Sequence, residues 1–289
     1  MKNIFVVLSL YVPLSGFAYN TSNHEAITQH AIYLLNRQCK DVYITLEEAK
    51  MIIKGNVSED AFGFKWAIRW CNQHFYNPLK ERKHRKRIYS INERFERIAK
   101  RCFRRVGSKK YFKYVGEIVH HIQDMTNPSH VVPVYHGPGL KDKFDEHYLT
   151  CYFPDTIEIN LSLPYDTPYL SSILKPVAEK TLDALKQRFD IYEMRNGNCV
   201  RQTIDWSKYW NENPEGWFGQ YGEIGKPDKS AGQKIDNYVV EEIHKGDTTY
   251  YVDRRIYDDF STQQVELAVI ETARFLYYAK KKYVNKKSD

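Results

Sequence analysis

The sequence has few cysteines, and none of them are paired in a C-x-x-C arrangement. The five cysteines are Cys39, Cys71, Cys102, Cys151 and Cys199. Without C-x-x-C spacing, a zinc site built from thiolates is not expected. Because five is an odd number, at least one cysteine is a free thiol or pairs with another molecule.

Long apolar runs are absent after the N-terminus, so no membrane-spanning helix is predicted in the rest of the chain. At the start, Lys2 precedes the apolar run IFVVLSLYV, and small residues follow at Gly16 and Ala18. This pattern is typical of a secretory signal peptide, and the run is too short for a membrane anchor. We expect residues 1–18 to be removed, which would make Tyr19 the first residue of a secreted or periplasmic protein.

No internal repeat is found, and the composition is that of a globular protein. The chain has 289 residues, of which 42% are hydrophobic and 15% aromatic, enough for a sizeable core. The formal charge of +7 suits anionic partners such as phosphates, nucleic acid or acidic lipid, but specifies none of them. We predict a single domain over residues 19–289.

Most of the chain has the periodicity of helices. Apolar residues recur at helical spacing in several segments, and the basic residues of one segment are typical of a solvated face. The predicted helices are residues 24–38, 46–55 with Thr45 as N-cap, 80–107, 108–125, 167–194 and 261–283, with a further helix starting near 141–149.

Residues 195–257 have a different character. They are rich in Gly, Asn and Asp and contain the alternating runs NYVVEEI and TTYYVDRRIY, which favour strands. The predicted fold class is therefore mainly α: a single-domain, multi-helix fold with a small β-containing insertion near the C-terminal end.

The stretch VHHIQDMTNPSH, residues 119–130, concentrates possible metal ligands. His120 and Asp124 are four positions apart, so a helix places them on one face. The Asn-Pro break that follows ends the helix and lets His130 fold back towards them. Imidazole and carboxylate without thiolate suit a catalytic zinc site. His121 is one step round the helix and is expected to pack or to form a hydrogen bond.

These motifs resemble those of the zinc-dependent phospholipase C and single-strand nuclease superfamily over residues 19 to about 150. HHIQDMTNPSH looks like its His-x3-Asp-x5-His segment, and QHFYNP looks like its Ser-His-Phe-Tyr-Asp-Pro segment. GNVSEDA supplies an aspartate at the family's spacing, and YNTSNHE is similar to the N-terminus of the nuclease branch. The resemblance implies metal ligands at Tyr19, His24, Asp60, His74, His120, Asp124 and His130, with Tyr19 binding through its α-amine and carbonyl oxygen.

The sequence departs from the family at the last pair of ligands, a His-x3-Glu in the family. In LKDKFDEHY the carboxylate position falls on Asp145, and the histidine position falls on Lys141, which cannot bind zinc while charged. His136 could supply the missing nitrogen from the preceding loop. Asp142 with Glu146 is the alternative. We predict His136 with Asp145.

The resemblance implies a mainly helical, exported phosphoric-ester hydrolase with three zinc ions. It would use metal-activated water to hydrolyse glycerophospholipids to diacylglycerol and a phosphorylated head group. Asp124 would bridge two ions, and Asp60 would bind a metal and either act as base or orient the attacking water. The partner expected is phospholipid at a membrane surface, and no stable protein partner can be inferred.

Two alternatives stay open. HFYNP favours the phospholipase branch, whereas the Tyr19–His24 spacing favours a zinc-dependent single-strand nuclease or phosphodiesterase, for which nucleic acid would be the substrate. The altered third site motivates the second alternative, a catalytically inactive metal-binding scaffold.

Overall fold

The computed structural model covers most of the chain. It describes residues 21–60, 74–79, 90–134, 144, 157–161, 169–215, 218–225, 232–235 and 238–288, with backbone alone at 90–94, 232–235, 238–240 and 287–288. The predicted signal peptide, most of the predicted helix near 141–149 and the first ten residues of the predicted helix 80–107 lie outside the described residues.

Helices predominate in the described residues, in agreement with the coarse expectation of a mainly α protein. The predicted helices 24–38, 46–55 and 108–125 are confirmed with small changes of boundary. The predicted helix 261–283 lies within a longer helix that begins at Arg254, so residues 254–257 at the end of the run predicted as a strand are helical. Seven helices are present in the described part of the chain: α1 (Thr21–Gln38), α2 (Leu46–Val57), α3 (Ser90–Phe103), α4 (Tyr111–Asp124), α5 (Pro128–Val131), α6 (Leu170–Ala184) and α7 (Arg254–Ser288).

A capping box starts α2 at the predicted residue. Thr45 Oγ1 accepts a hydrogen bond from the Glu48 amide at 3.3 Å, and Glu48 Oε2 accepts one from the Thr45 amide at 3.0 Å. Two of the free amides at the helix start are thereby satisfied. This fixes where α2 begins and therefore where its last turn lies.

The helix α4 is the centre of the fold. It is buried on all sides from Val115 to Asp124. It packs closely against α2, where Gly55 and Gly116 let the two backbones approach. A Cβ on Gly116 would lie 2.0 Å from the Ile52 carbonyl oxygen. This close approach brings the C-terminal end of α2 beside the last turns of α4.

The prediction of one helix over residues 167–194 is wrong in its last part. The helix α6 ends at Ala184, and residues 188–195 form a strand. The reason is a two-residue Asn196-Gly197 turn, with φ of 51° and 77°, which pairs this strand with the next one. Asn-Gly turns of this kind match the twist of antiparallel strands.

The β-containing segment between α6 and α7 is confirmed, although it begins earlier than residue 195. A five-stranded antiparallel sheet has the order β2-β1-β7-β6-β5, and β3 pairs with β4 in a separate ribbon. The strands are β1 (Arg188–Arg195), β2 (Asn198–Asp205), β3 (Trp210–Asn211), β4 (Gln220–Tyr221), β5 (Gly232–Ile235), β6 (Tyr238–Lys245) and β7 (Thr248–Asp253).

An aromatic cluster joins this segment to α7. Trp206 packs on Phe260 with ring centroids 4.1 Å apart, and Tyr209 and Trp210 continue the contact. All four rings are buried. The segment is therefore packed against the helical part of the fold as part of one continuous hydrophobic core.

Three cysteines can be described. Cys39, Cys102 and Cys199 carry free thiols, as the odd number of cysteines requires of at least one. Cys71 and Cys151 lie outside the described residues. Among the helices that are described, none has the length and apolar character needed to cross a membrane.

Candidate metal centre

The end of α4 carries two of the predicted ligands on one face. His120 Nε2 lies 3.4 Å from Asp124 Oδ2, as expected for residues four positions apart on a helix. Both side chains are fully buried. Burying such groups is costly unless they have specific partners, so their position indicates a site rather than general packing.

Three other segments bring predicted ligands to the same point. His24 comes from α1, Asp60 follows the end of α2, and His74 begins the segment 74–79. His24 Nε2 lies 3.6 Å from Asp60 Oδ2. His120 Nε2 lies 3.5 Å from Asp60 Oδ1 and 3.1 Å from His74 Nδ1. The structure thus brings together donors that are far apart in sequence.

The two carboxylate oxygens of Asp124 face different histidines. Oδ1 lies 3.6 Å from His24 Nε2, whereas Oδ2 lies 2.7 Å from His74 Nδ1. Although it is buried, Oδ1 accepts no hydrogen bond from the part of the chain that the structure describes. A carboxylate that directs each oxygen at a separate nitrogen donor is arranged like a ligand bridging two cations.

These buried side chains could hold a metal ion. They form three overlapping groups, and within each group the ligand atoms lie within 4.8 Å of one another. The groups are His24, His120 and Asp124; Asp60, His74 and His120; and His74, His121 and Asp124.

Two amide side chains orient the histidines, and the sequence analysis missed both. His24 Nδ1 lies 2.6 Å from Gln123 Oε1, and His120 Nδ1 lies 3.1 Å from Asn56 Oδ1. Each carbonyl oxygen accepts the Nδ1 proton and leaves the Nε2 lone pair directed at the centre, as is usual behind metal-binding histidines. Thr28 Oγ1 accepts hydrogen bonds from the amide nitrogens of Asn56 and Gln123. Each amide therefore directs its oxygen at a histidine.

Electrostatics favours the protonation states that bind metals. Burial, with help from His24 and His74, holds the pKa of His120 well below its ordinary value, although Asp124 opposes the shift. Burial also opposes ionisation of Asp124, but His120 and His74 outweigh it and keep the pKa of Asp124 well below its usual range. Neutral imidazole and ionised carboxylate are the forms required of ligands.

His121 faces the same Asp124 oxygen as His74 and belongs to one of the three donor groups. Its Nδ1 is 3.7 Å from Asp124 Oδ2, and its Nε2 is 3.7 Å from Glu59 Oε2, with both side chains fully buried. Burial lowers the pKa of His121, but the two carboxylates outweigh burial and raise it. Its ring nitrogens thus lie between two carboxylates without a hydrogen bond to the described residues, and Glu59 was not among the residues predicted from the sequence.

His130 folds back as predicted, but it does not enter the three groups of donors. Asn127 caps the short helix α5 by accepting from the Ser129 amide at 3.0 Å. His130 Nδ1 then donates to the His74 carbonyl oxygen at 2.8 Å, and its own carbonyl accepts from the Tyr76 amide. These contacts fix the segment that carries His74.

The remaining predicted ligands lie outside the described residues. They are Tyr19, His136 and Asp145, together with the alternative pair Asp142 and Glu146. Of the predicted ligands, the structure brings His24, Asp60, His74, His120 and Asp124 together, and His130 lies beside them through its contact with His74.

The segment between α6 and α7 also reaches this region. The Gly219 amide donates to the Pro133 carbonyl oxygen at 2.7 Å, three residues after His130. Phe218 packs against Phe75, which follows His74 in the chain. No periodicity or motif marks Phe218, so only the structure reveals it. Asn56 and Gln123 have a weak signal, since they flank the predicted ligands at helical spacing.

Fold and site together define a helical protein with a buried His/Asp cluster able to hold a metal. Comparisons with protein-family models, with curated proteins and with solved structures found no match.

Proposed function

We propose that this chain is a zinc-dependent phosphoric-ester hydrolase of the phospholipase C type, exported and acting on glycerophospholipids at a membrane surface. The observation that carries the proposal is the placement of Asp124, whose two buried oxygens face separate histidines, the fully buried His24 and the partly buried His74. Such a carboxylate supports two adjacent cations, and paired cations suit displacement at phosphorus.

The donor set fits zinc. The ligand atoms are imidazole nitrogens and carboxylate oxygens, and Asp124 Oδ1 is a buried oxygen that accepts no hydrogen bond from the described residues. Nitrogen-rich sites favour zinc over magnesium or calcium, which prefer oxygen. The amides behind His24 and His120 provide the orientation that such ligands need.

Each ion would have its own ligands. In the proposal Asp60, His74, His120 and Asp124 hold the first, and Asp124 with His24 and the α-amine of Tyr19 holds the second. The third is held by His130 with His136 and Asp145, or with Asp142 and Glu146. When bound, the ions supply Lewis-acid stabilisation of the phosphate oxygens.

The chain's own groups have distinct parts in this reaction. The carboxylate of Asp60 would accept the proton of the attacking water as the water oxygen bonds to phosphorus. The bond between phosphorus and the glycerol oxygen breaks, and the glycerol oxygen takes up a proton from solvent water. Asp124 keeps the histidines in place. Among the proposed ligands that the structure describes, His74 is the most accessible, with 14% of its side chain exposed, and we place the approach of substrate on its side.

The test is zinc loading followed by assay on two substrates. Mature protein is stripped, reloaded, counted for zinc and assayed on phosphatidylcholine and on single-stranded DNA. Hydrolysis of the lipid is expected. Activity on DNA alone would assign the nuclease alternative, and bound zinc without either activity would assign the scaffold.

Matched variants test the part of Asp124. We expect Asp124→Asn to abolish turnover, because a neutral amide cannot bridge two cations. Asp183→Asn, at an exposed aspartate paired with Lys186, serves as the control and keeps full activity. Wild-type activity with full zinc content in Asp124→Asn would contradict the proposed role of Asp124 as a bridging ligand.

A further inference from the structure

We infer that Phe75 and Phe218 form a binding site for the aliphatic part of the substrate, beside the metal centre. The inference rests on the proposed function, since it names the part of a phosphate ester that this surface takes. Phe75 directly follows His74 and stacks on His130, with ring centroids 5.0 Å apart and an angle of 25°. Phe218 meets Phe75 edge-on, 5.1 Å away at 83°.

The two rings are brought together by tertiary structure and held firmly. The Gly219 amide donates to the Pro133 carbonyl oxygen, and Gly219 forms a bridge with Val134. A Cβ on Gly219 would lie 2.2 Å from the Asn211 carbonyl oxygen, so only glycine permits this approach. Phe218, the residue before it, is therefore fixed in position.

A second anchor holds the other end of the loop. Asn77 Nδ2 donates to Glu212 Oε1 at 2.6 Å and ties the loop to the segment that carries His74. The loop between β3 and β4 is thus attached on both sides of the two rings. A preformed surface of this kind loses little entropy when a ligand binds.

The surface suits an aliphatic chain. Both rings are half-buried, and their planes are nearly perpendicular. The two rings therefore form a corner, not a slot between parallel faces. Contact with the ring carbons removes methylene groups from water, which favours binding. A nucleobase also has polar edges, which would need hydrogen-bond partners. The Glu212 carboxylate on the same loop disfavours a polyanionic chain.

Alkylphosphonates provide a test by binding alone. Zinc-loaded protein is titrated with butylphosphonate and with octylphosphonate in a calorimeter. Each fully buried methylene strengthens binding about fourfold, and an open corner removes from water the equivalent of about two of the four extra methylenes. We therefore expect the octyl compound to bind about tenfold more tightly than the butyl compound. Phe218→Ala should reduce this ratio to about threefold or less, with butylphosphonate binding little changed.

Two further variants separate this role from general effects. Phe189→Ala removes a half-buried ring that packs on Trp206 in the same segment, and should keep the wild-type ratio. Phe218→Leu should also keep it, because leucine preserves apolar contact without an aromatic face. Zinc content and melting temperature are measured for each variant, and Phe75→Ala, for which the same fall in the ratio is expected, repeats the test should Phe218→Ala fail to fold.

The possible outcomes distinguish failure of the inference from failure of the proposed function. An unchanged octyl-to-butyl ratio in Phe218→Ala overturns the inference even where wild-type protein hydrolyses phospholipid. Equal losses in Phe218→Leu and Phe218→Ala, together with cleavage of single-stranded DNA, would replace chain binding by base stacking and also overturn it. A chain-length ratio that depends on Phe218, without hydrolysis of any ester, supports the apolar site and refutes the proposed function.

Discussion

Gly116 of α4 lies directly against the backbone of Ile52 in α2. A Cβ at position 116 would be 2.0 Å from the Ile52 carbonyl oxygen, and Gly55 faces α4 in the same way. No side chain can relieve this contact, since it is made by backbone. The spacing of the two helices, and with it the position of Asn56 and Asp60, depends on these glycines.

Gly116→Ala should therefore destabilise the protein and weaken metal binding. Overpacking of this kind costs about 1–3 kcal/mol, and the helices must also move apart. Thermal unfolding and zinc titration measure the two effects. Lys113→Ala, on the same helix, is the control and should change neither greatly. A Gly116→Ala variant with wild-type stability would show that the helices have freedom to separate.

Asn56→Ala should lower zinc affinity about 10- to 100-fold, because the carbonyl that orients His120 is lost. Competition with a chelator measures the affinity. Asn36→Ala is a matched control, since Asn36 makes structural hydrogen bonds to Ile44 away from the centre. The control should reduce stability and leave affinity unchanged, and equal affinities in both variants would refute the orienting role.

Asp41 should make stability depend on pH in the acid range. Hydrogen bonds from Cys39 and Lys281 lower the pKa of Asp41 from 3.8 to about 2. A lowered carboxyl pKa contributes stability above the unfolded value, and this contribution is lost as pH falls from about 4 through about 2. The difference in melting temperature between wild type and Asp41→Asn should thus be small but present at pH 6 and absent near pH 2. A constant difference would contradict the assignment.

The N-terminal amine of mature protein should be a ligand. N-terminal sequencing of exported protein is expected to begin at Tyr19, and protein with one extra residue before Tyr19 should bind one zinc ion fewer. In the proposed ligand set, the α-amine of Tyr19 binds the second ion, and an extra residue would put a peptide nitrogen, which is a poor ligand, in its place. Equal zinc counts in the two forms would remove Tyr19 from the proposed ligands.

Local patterns predicted much of the helical framework and none of its packing. The capping box at Thr45 and the apolar periodicity of α1 and α4 depend on neighbours in sequence, and these predictions are confirmed. The helix predicted over 167–194 failed because its periodicity ran into a strand whose partner follows the Asn196-Gly197 turn. Strand pairing overrides local preference.

The candidate site shows the same division. Spacing placed His120 and Asp124 on one face, and the family resemblance proposed His24, Asp60 and His74 as their companions. Their convergence is a matter of distances between four segments, which no local pattern contains. Asn56 and Gln123 have only a weak signal in the sequence, and Glu59 and the ring of Phe218 are identified by the tertiary structure alone.

By itself, the sequence determined the order of most helices, the presence of a late β segment and the chemical nature of the donors. These follow from periodicity and side-chain chemistry, which act over a few residues. The tertiary structure decided that the donors meet in a buried cluster and that a distant loop adds an aromatic corner beside it. Those outcomes depend on close helix packing at Gly55 and Gly116 and on backbone contacts at Gly219, which act between residues far apart in the chain.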